Sequence, residues 1–165
     1  MRAIVHNSAD KLITMKKIWF KYSNEPAEQI KSIVNASING IYCLWWEDIN
    51  TFPESSSVEL PAGKREKILV TVKPCLSEFT DVIALYVGKG DVRKRLISHL
   101  KTSKSKTRNP YTWLESMFPD QDLNPLIRNN MGFSFIEEPN KLEQIYIENL
   151  AIGLLKPIFN ARLTA

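Results

Sequence analysis

The most restrictive feature of this sequence is a run of apolar and aromatic residues at positions 40–46, GIYCLWW. Both alternating sets of positions in the run are apolar, whereas a strand with one face in water alternates apolar and polar side chains. We therefore predict a strand that is covered on both faces and lies in the centre of a sheet. A chain organised around such a strand needs packed elements on both sides of it.

Patterns elsewhere predict the elements around this strand. Further strands are expected at 67–72, 82–88 and 132–137, and helices at 24–37, 91–101, 110–118 and 140–155. A looser alternation indicates an edge strand within residues 11–22, and residues 47–64 and 102–109 are expected to be loops. This order favours an α+β fold, an α/β sandwich whose small mixed or antiparallel sheet is flanked by helices.

Length and composition bound the class of protein. A chain of 165 residues is long enough for one domain with a sizeable core, so we expect a single domain over 1–165. The longest apolar stretch, residues 145–155, is interrupted by Glu148 and falls well short of the roughly 20 residues that span a bilayer. The N-terminal residues lack the apolar stretch of a signal peptide, and the two cysteines lack metal-ligand spacing. We therefore expect a cytoplasmic protein without a membrane partner.

Positive charge is concentrated in one segment of the chain. The net charge is +4, but residues 89–108 contain eight Lys and Arg against one Asp. A basic belt on an otherwise slightly acidic molecule is the expected footprint of a polyanion such as DNA, although a solvated charged face would look the same. The candidate DNA-binding residues are Lys94, Lys101, Lys104, Lys106 and Arg108.

Glu148 is the acidic residue that most needs an explanation. It lies inside the apolar stretch 145–155, so its helix is expected to be mostly buried, and an unpaired buried carboxylate is costly. Two explanations remain open: a salt bridge to Arg95 or Lys89, or a Mg²⁺ ion held together with substrate phosphate and water. Glu143 is turned about 140° away on the helix, which disfavours a second metal there.

The other polar candidates also have two interpretations. Arg95 and His99 are four residues apart on one helix face, where they either remain half-exposed or converge on a phosphate. By default Tyr42 and Tyr86 are core tyrosines with satisfied hydroxyl groups. Asn160 is either a turn residue after the last helix or part of a site.

In their order along the chain these residues form a pattern. It comprises GIY at 40–42, YVGKGDVRKRLISH at 86–99 and IENLAIGLLKPIFN at 147–160, with Glu148 twelve positions before Asn160. The chain thus resembles the GIY-YIG endonuclease superfamily. The resemblance implies the nuclease fold of that family with an inserted strand, and a metal-dependent endonuclease that hydrolyses DNA phosphodiester bonds.

The resemblance also assigns roles to residues. Glu148 matches the metal-binding glutamate, for Mg²⁺ or Mn²⁺, and the other matching positions are Tyr42, Tyr86, Arg95, His99, Asn160 and Lys89. Tyr42 is the general base implied by the family, with His99 as its helper. Ordinary pKa values, roughly 10 for Tyr and 6.5 for His, favour His99 instead.

One departure from the family pattern is large. Tyr42 and Tyr86 are 44 residues apart, whereas a short hairpin separates them in compact members, so residues 47–81 form an insertion and direct pairing of the two strands is open. Such insertions occur in the restriction-enzyme branch, which would imply a homodimer reading a palindrome. The first alternative is a catalytically inactive nucleic-acid-binding module on the same fold, and the second is a structural protein with an accidental motif.

Overall fold

The computed structural model describes residues 2–22, 25–54, 56–61, 67–72, 76–101 and 109–160. These residues form six α-helices, two short 3₁₀ helices (Phe20–Tyr22 and Ile49–Thr51) and six strands. The helices are α1 (Arg2–Thr14), α2 (Pro26–Ile33), α3 (Val92–Ser98), α4 (Pro110–Met117), α5 (Leu123–Asn130) and α6 (Lys141–Leu155). The strands are β1 (Ile18–Trp19), β2 (Asn39–Trp46), β3 (Ser56–Pro61), β4 (Lys67–Val72), β5 (Ile83–Asp91) and β6 (Met131–Glu137).

The main sheet has four strands in the order β1-β6-β2-β5, and every neighbouring pair is antiparallel. β2 lies between β6 and β5, and all its residues from Gly40 to Trp46 are buried. The prediction of a central strand covered on both faces is confirmed, as is the α+β class. No parallel pair occurs in the described sheets, so of the two arrangements predicted the antiparallel one is found.

The two faces of β2 support separate layers of the core. Tyr42, Leu44 and Trp46 point to the layer formed with α3, α4 and α5. Ile41, Cys43 and Trp45 alternate with them and point to the layer formed with α1 and α6. A side chain in a strand can therefore be assigned to the α3 face or to the α6 face of the sheet.

The insertion does not separate the strands that carry the two tyrosines. β2 and β5 are hydrogen-bonded neighbours, with Tyr42 opposite Gly88. Within the insertion β3 and β4 pair with each other as a second, two-stranded sheet, so the strand predicted at 67–72 is found together with a partner. The prediction of a continuous loop over 47–64 was wrong at 56–61, where β3 lies. Alone, β4 would leave its backbone hydrogen-bonding groups unpaired, and β3 is the strand that pairs with them.

A β-bulge in β5 reverses the direction of its side chains. Leu44 pairs with Tyr86 but the next residue, Trp45, pairs with Ala84, which leaves Leu85 as the extra residue. Leu85 and Tyr86 consequently both contribute to the α3 face. With regular alternation Tyr86 would point to the α6 face, so the bulge is what brings it to the side of Tyr42.

Near the N-terminus the predicted edge strand over 11–22 is largely replaced by helix. α1 covers Arg2–Thr14 and buries Ala9, Leu12 and Ile13 at helical spacing, and only Ile18–Trp19 pairs with β6 at the sheet edge. The predicted helix over 24–37 is found as the shorter Pro26–Ile33, and its predicted first residue, Asn24, lies outside the described residues.

Further along the chain one helix was missed and two others are confirmed with changes. α5 begins at an Asp122 cap and buries Leu123 and Ile127, which are too few apolar positions to stand out in the sequence. The helix predicted at 91–101 is found as the shorter α3, with Asp91 as its N-terminal cap. The expectation that α6 is mostly buried is only partly correct, because Ile145 and Tyr146 on its outer face are exposed.

Gly40→Ala should destabilise the protein by about 3 kcal/mol, because the added methyl group would overlap the backbone carbonyl oxygen of Ile136 in the neighbouring strand, which cannot move aside. Gly153→Ala is the matched control: Gly153 is exposed on α6, and nothing among the described residues lies within 4 Å of an added Cβ. The control should gain about 0.5–1 kcal/mol of helix stability. Chemical denaturation of the two variants measures both effects, and equal stabilities would contradict the β2–β6 packing.

Candidate functional site

Tyr42, Tyr86 and His99 form one buried cluster on the α3 face of the sheet. The Tyr42 hydroxyl lies 2.7 Å from His99 Nε2, and the His99 ring centroid is 5.6 Å from that of Tyr42 and 5.3 Å from that of Tyr86. Tyr42 is completely buried and His99 is 3% exposed. The half-exposed position considered for His99 is therefore wrong, and the two tyrosines predicted to act together do lie together.

Gly88 forms the floor beneath Tyr42. A Cβ built at this position would overlap the Tyr42 hydroxyl and ring. Because Gly88 is the cross-strand partner of Tyr42, the phenol lies directly over the neighbouring backbone. In the sequence this glycine indicates only a strand end, and its packing role becomes visible once the pairing of β2 with β5 is known.

Burial controls the protonation of the cluster. It is the largest cause that raises the pKa of Tyr42 above its ordinary value; Tyr86 raises this pKa further, and the positive charge of Arg95 lowers it. Burial also lowers the pKa of His99 to about 4, with a second contribution from Arg95. At neutral pH Tyr42 is therefore a phenol and His99 a neutral imidazole.

His99 has unused hydrogen-bonding capacity. Its Nδ1 is buried and has no hydrogen-bond partner within the described part of the chain, while Nε2 faces Tyr42. When the Tyr42 hydroxyl donates to Nε2, the imidazole proton is on Nδ1. In that tautomer Nε2 is a basic nitrogen in direct contact with the phenolic proton, which makes a proton transfer between the two side chains geometrically simple.

Arg95 borders this cluster from α3. The residue is exposed, yet its charge acts on both Tyr42 and His99. A guanidinium that touches a buried polar cluster and also faces solvent can contact an anion arriving from outside. Arg95 is thus a surface residue, as the first interpretation expects. It also acts on His99, beside which the second interpretation expects a phosphate to bind.

Lys89 and Glu148 lie on the α6 face. Their side chains form an ion pair between Lys89 Nζ and Glu148 Oε2, with side-chain exposures of 38% and 14%. Lys89 is the cross-strand partner of Ile41, whose side chain belongs to the same layer as α6. Of the two salt bridges considered for Glu148, the one to Lys89 is present.

The tyrosine cluster on the α3 face and the Lys89–Glu148 pair on the α6 face both involve residues of β5, which forms one edge of the four-stranded sheet. The charge of Glu148 contributes to raising the pKa of Tyr42, although the two residues belong to opposite faces. Tyr86 and Lys89 are only three positions apart in this strand. The tyrosine cluster and the ion pair therefore lie on opposite faces of one strand, close to its end.

Asn160 holds this strand in place. Its Oδ1 accepts from the Val87 amide at 2.6 Å, and its Nδ2 donates to the Val87 carbonyl at 2.8 Å. Just before it, the amides of Ile158 and Phe159 donate to the carbonyls of Ala84 and Leu85. The side-chain amide of Asn160 thus continues a ladder of backbone hydrogen bonds along β5, between Tyr86 and Gly88.

Glu148 would be one protein ligand of a divalent ion, with water and, in a complex with DNA, phosphate oxygens as the other ligands. Among the described residues there is no group of three or more His, Cys, Asp or Glu side chains that could hold a metal ion. One carboxylate together with phosphate oxygens and water is nevertheless a usual environment for Mg²⁺, which retains several water ligands. The carboxylate is mostly buried and already attracts a cation, which is the property that such a ligand needs.

The remaining predicted residues lie around α3. Lys94 and Lys101 are exposed, while Lys104, Lys106 and Arg108 lie outside the described residues. The predicted loop 102–109 is described only at Asn109, which is buried instead of exposed. Its side chain caps α4 and donates to the Lys101 carbonyl at 3.0 Å, so it connects the start of α4 to Lys101.

Trp113 is a buried residue of α4. Its ring lies 6.4 Å from that of Tyr86 and 5.0 Å from that of Phe159, measured between centroids. Trp113 therefore connects the tyrosine cluster to the segment that ends in Asn160. An apolar position in a short helix gives no sequence signal for such a contact.

Comparison with known proteins identifies no relative. No protein-family model, curated protein or solved structure matches the chain. None of the helices in the described ranges has the length and apolar character needed to cross a membrane.

The lowered pKa of His99 predicts a pH-dependent contribution to stability. Between pH 6.5 and about 4 the unfolded chain binds a proton at His99 that the folded protein excludes, so the free energy of unfolding falls as the pH falls. The loss attributable to His99 should reach about 3 kcal/mol at pH 4. His99→Gln removes this titration, so the difference in stability between wild type and variant should shrink by that amount across the range.

Denaturant unfolding of both proteins at pH 4 to 7.5 measures this difference. Carboxylates that titrate in the same range are common to the two proteins and cancel. Parallel stability profiles would show that His99 is not held neutral by burial.

Proposed function

We propose that this chain is a metal-dependent endonuclease that hydrolyses DNA phosphodiester bonds. The observation that carries the proposal is that β5 connects two polar groups: the cluster of Tyr42, Tyr86 and His99 on one face, bordered by Arg95, and the Lys89–Glu148 pair on the other. These residues come from three segments that are far apart in the sequence. The assignment to the GIY-YIG superfamily and to its restriction-type branch belongs to the same proposal.

The phosphate-binding half of the proposed site consists of Arg95 and Glu148. Arg95 is exposed, and in this proposal it contacts the scissile phosphate from solvent and stabilises the charge of its pentavalent transition state. Glu148 would hold a Mg²⁺ or Mn²⁺ ion, which would supply Lewis-acid stabilisation of the negative charge that develops in the transition state. Lys89 adds a further positive charge at the same strand end.

The proposed general base is Tyr42, with His99 as its proton acceptor. Burial holds Tyr42 protonated, so the phenol alone is a poor base at neutral pH. The neutral imidazole at 2.7 Å is positioned to take the phenolic proton as Tyr42 takes one from water. Its pKa of about 4 makes it a weak acceptor in the free protein, and the negative charge of a bound phosphate would raise this pKa. In this scheme Tyr86 and Asn160 are positioning residues.

Substrate binding is proposed to use the basic segment after β5. Lys94 and Lys101 are exposed next to Arg95, and Lys104, Lys106 and Arg108 follow in the sequence. Their charges would neutralise successive DNA phosphates. A homodimer acting on palindromic sites in the cytoplasm completes the restriction-type hypothesis.

The second candidate is an inactive nucleic-acid-binding module on the same fold. The observation in its favour is that Tyr42 is fully buried and Glu148 is already paired with Lys89, so both groups have internal partners without any metal. Such a module would bind DNA but would not cleave it in Mg²⁺.

Glu148→Gln should abolish DNA cleavage while DNA binding and the fold are retained. The substitution removes the negative charge that holds the metal but keeps the shape of the side chain, and Lys89 is exposed enough to be hydrated. Plasmid cleavage in Mg²⁺ and a DNA-binding titration in its absence measure the two properties.

Glu143→Gln is the control for this experiment, since Glu143 lies five residues earlier on the same helix and at a different angle. It should cleave at the wild-type rate. Normal cleavage by Glu148→Gln would show that the metal assignment is wrong, and a wild-type protein that binds DNA without cutting it would support the inactive module.

Neutralising Lys104, Lys106 and Arg108 together should weaken binding to all DNA sequences. The slope of log affinity against log salt should flatten by about 0.9 for each DNA phosphate that is no longer neutralised, or about three units for the triple variant. Replacing Lys11, Lys31 and Lys141, three exposed lysines outside the basic segment, provides a control of equal charge. A triple variant with the same slope as this control would exclude phosphate binding by residues 104–108.

A further inference from the structure

The Lys89–Glu148 ion pair involves the same carboxylate that the proposed metal would bind. Lys89 Nζ contacts Glu148 Oε2 directly. The carboxylate side chain is 14% exposed, and the lysine side chain is 38% exposed. The pair therefore combines a mostly buried anion with a cation that still reaches solvent.

We propose that Lys89 is an exchangeable counter-ion, which competes with the divalent cation for Glu148 and leaves the carboxylate when the metal binds. This inference rests on the metal site in the proposed function. It assigns Lys89 a role in the free protein, before any substrate arrives: it neutralises Glu148 and thereby weakens the binding of metal.

Burial explains why Glu148 requires a counter-ion. A mostly buried carboxylate without a positive partner carries a desolvation penalty that its own helix does not offset. In the protein without metal Lys89 supplies this charge. A divalent cation supplies more charge at the same place, and two cations on one carboxylate repel each other, so binding of the metal favours departure of the ammonium group.

The mobility of the two partners explains which one leaves. Glu148 lies near the middle of α6, flanked by the buried residue Ile147 on the side of the core. Lys89 lies near the end of β5 and has a long flexible side chain, and water can hydrate its ammonium group within a small rotation. Once displaced, the same group is available for a phosphate at the site.

The test is the affinity for Mn²⁺ without DNA, measured from the electron paramagnetic resonance signal of the free ion. Lys89→Met keeps the apolar stem and removes the charge, so it should bind Mn²⁺ about tenfold more tightly than wild type. Lys89→Gln, which retains a hydrogen-bond donor for the carboxylate, should shift the affinity in the same direction and serves if the methionine variant is unstable.

Lys21→Met is the matched control. It breaks another Lys–Glu ion pair, Lys21 with Glu47 at 2.6 Å, without touching Glu148. The two lysine side chains have similar exposure, 32% for Lys21 and 38% for Lys89. Its Mn²⁺ affinity should equal that of wild type. The tightened binding of Lys89→Met should disappear again in the double variant Lys89→Met with Glu148→Gln.

The outcomes separate this inference from the proposed function. If Glu148→Gln loses Mn²⁺ binding while both Lys89 variants bind like wild type or more weakly, the metal site is correct and the counter-ion role is overturned. If Glu148→Gln binds Mn²⁺ like wild type, the metal assignment fails and the inference fails with it. Tighter Mn²⁺ binding by the Lys89 variants that disappears when Glu148 is replaced supports both the metal site and the counter-ion role.

Discussion

The pairing of β2 with β5 is the constraint on which the site depends. It places Gly88 opposite Tyr42, so that the phenol can lie over bare backbone. The bulge at Leu85 then changes the phase of the strand and turns Tyr86 to the same face. A regular strand would bury Tyr86 against α6 and separate the two tyrosines, so this single extra residue creates the cluster.

Burial has opposite consequences for the two halves of the site. On the α3 face it removes charge: Tyr42 stays a phenol and His99 stays neutral, and they share a hydrogen bond. On the α6 face the ionised groups are retained, because Lys89 lies close enough to pair with Glu148. A neutral hydrogen-bonded pair and an ion pair are two arrangements that reduce the free-energy cost of burying polar groups in a low-dielectric interior.

The sequence predicted the parts of the fold that local patterns encode. The central strand at 40–46 has apolar residues in both phases, and Asp91 and Asn140 are good caps, so β2, α3 and α6 were found. α5 was missed because only Leu123 and Ile127 mark its buried face. Local patterns do not contain the pairing and register of the strands. The bulge, the packing of Gly88 beneath Tyr42 and the partner of Glu148 all depend on them.

The contribution of Asn160 illustrates the same limit and also explains how the site is held. As an isolated residue after Pro157 it could equally be a turn, yet its side-chain amide pairs with both backbone groups of Val87. Because β5 is an edge strand, its outer backbone groups would otherwise face solvent or another chain. Residues 158–160 cover that edge as far as Val87. This covering segment ends just before Gly88 and Lys89. Its hydrogen bonds fix β5 around Tyr86. The segment does not cover Lys89, which has to move in the counter-ion proposal.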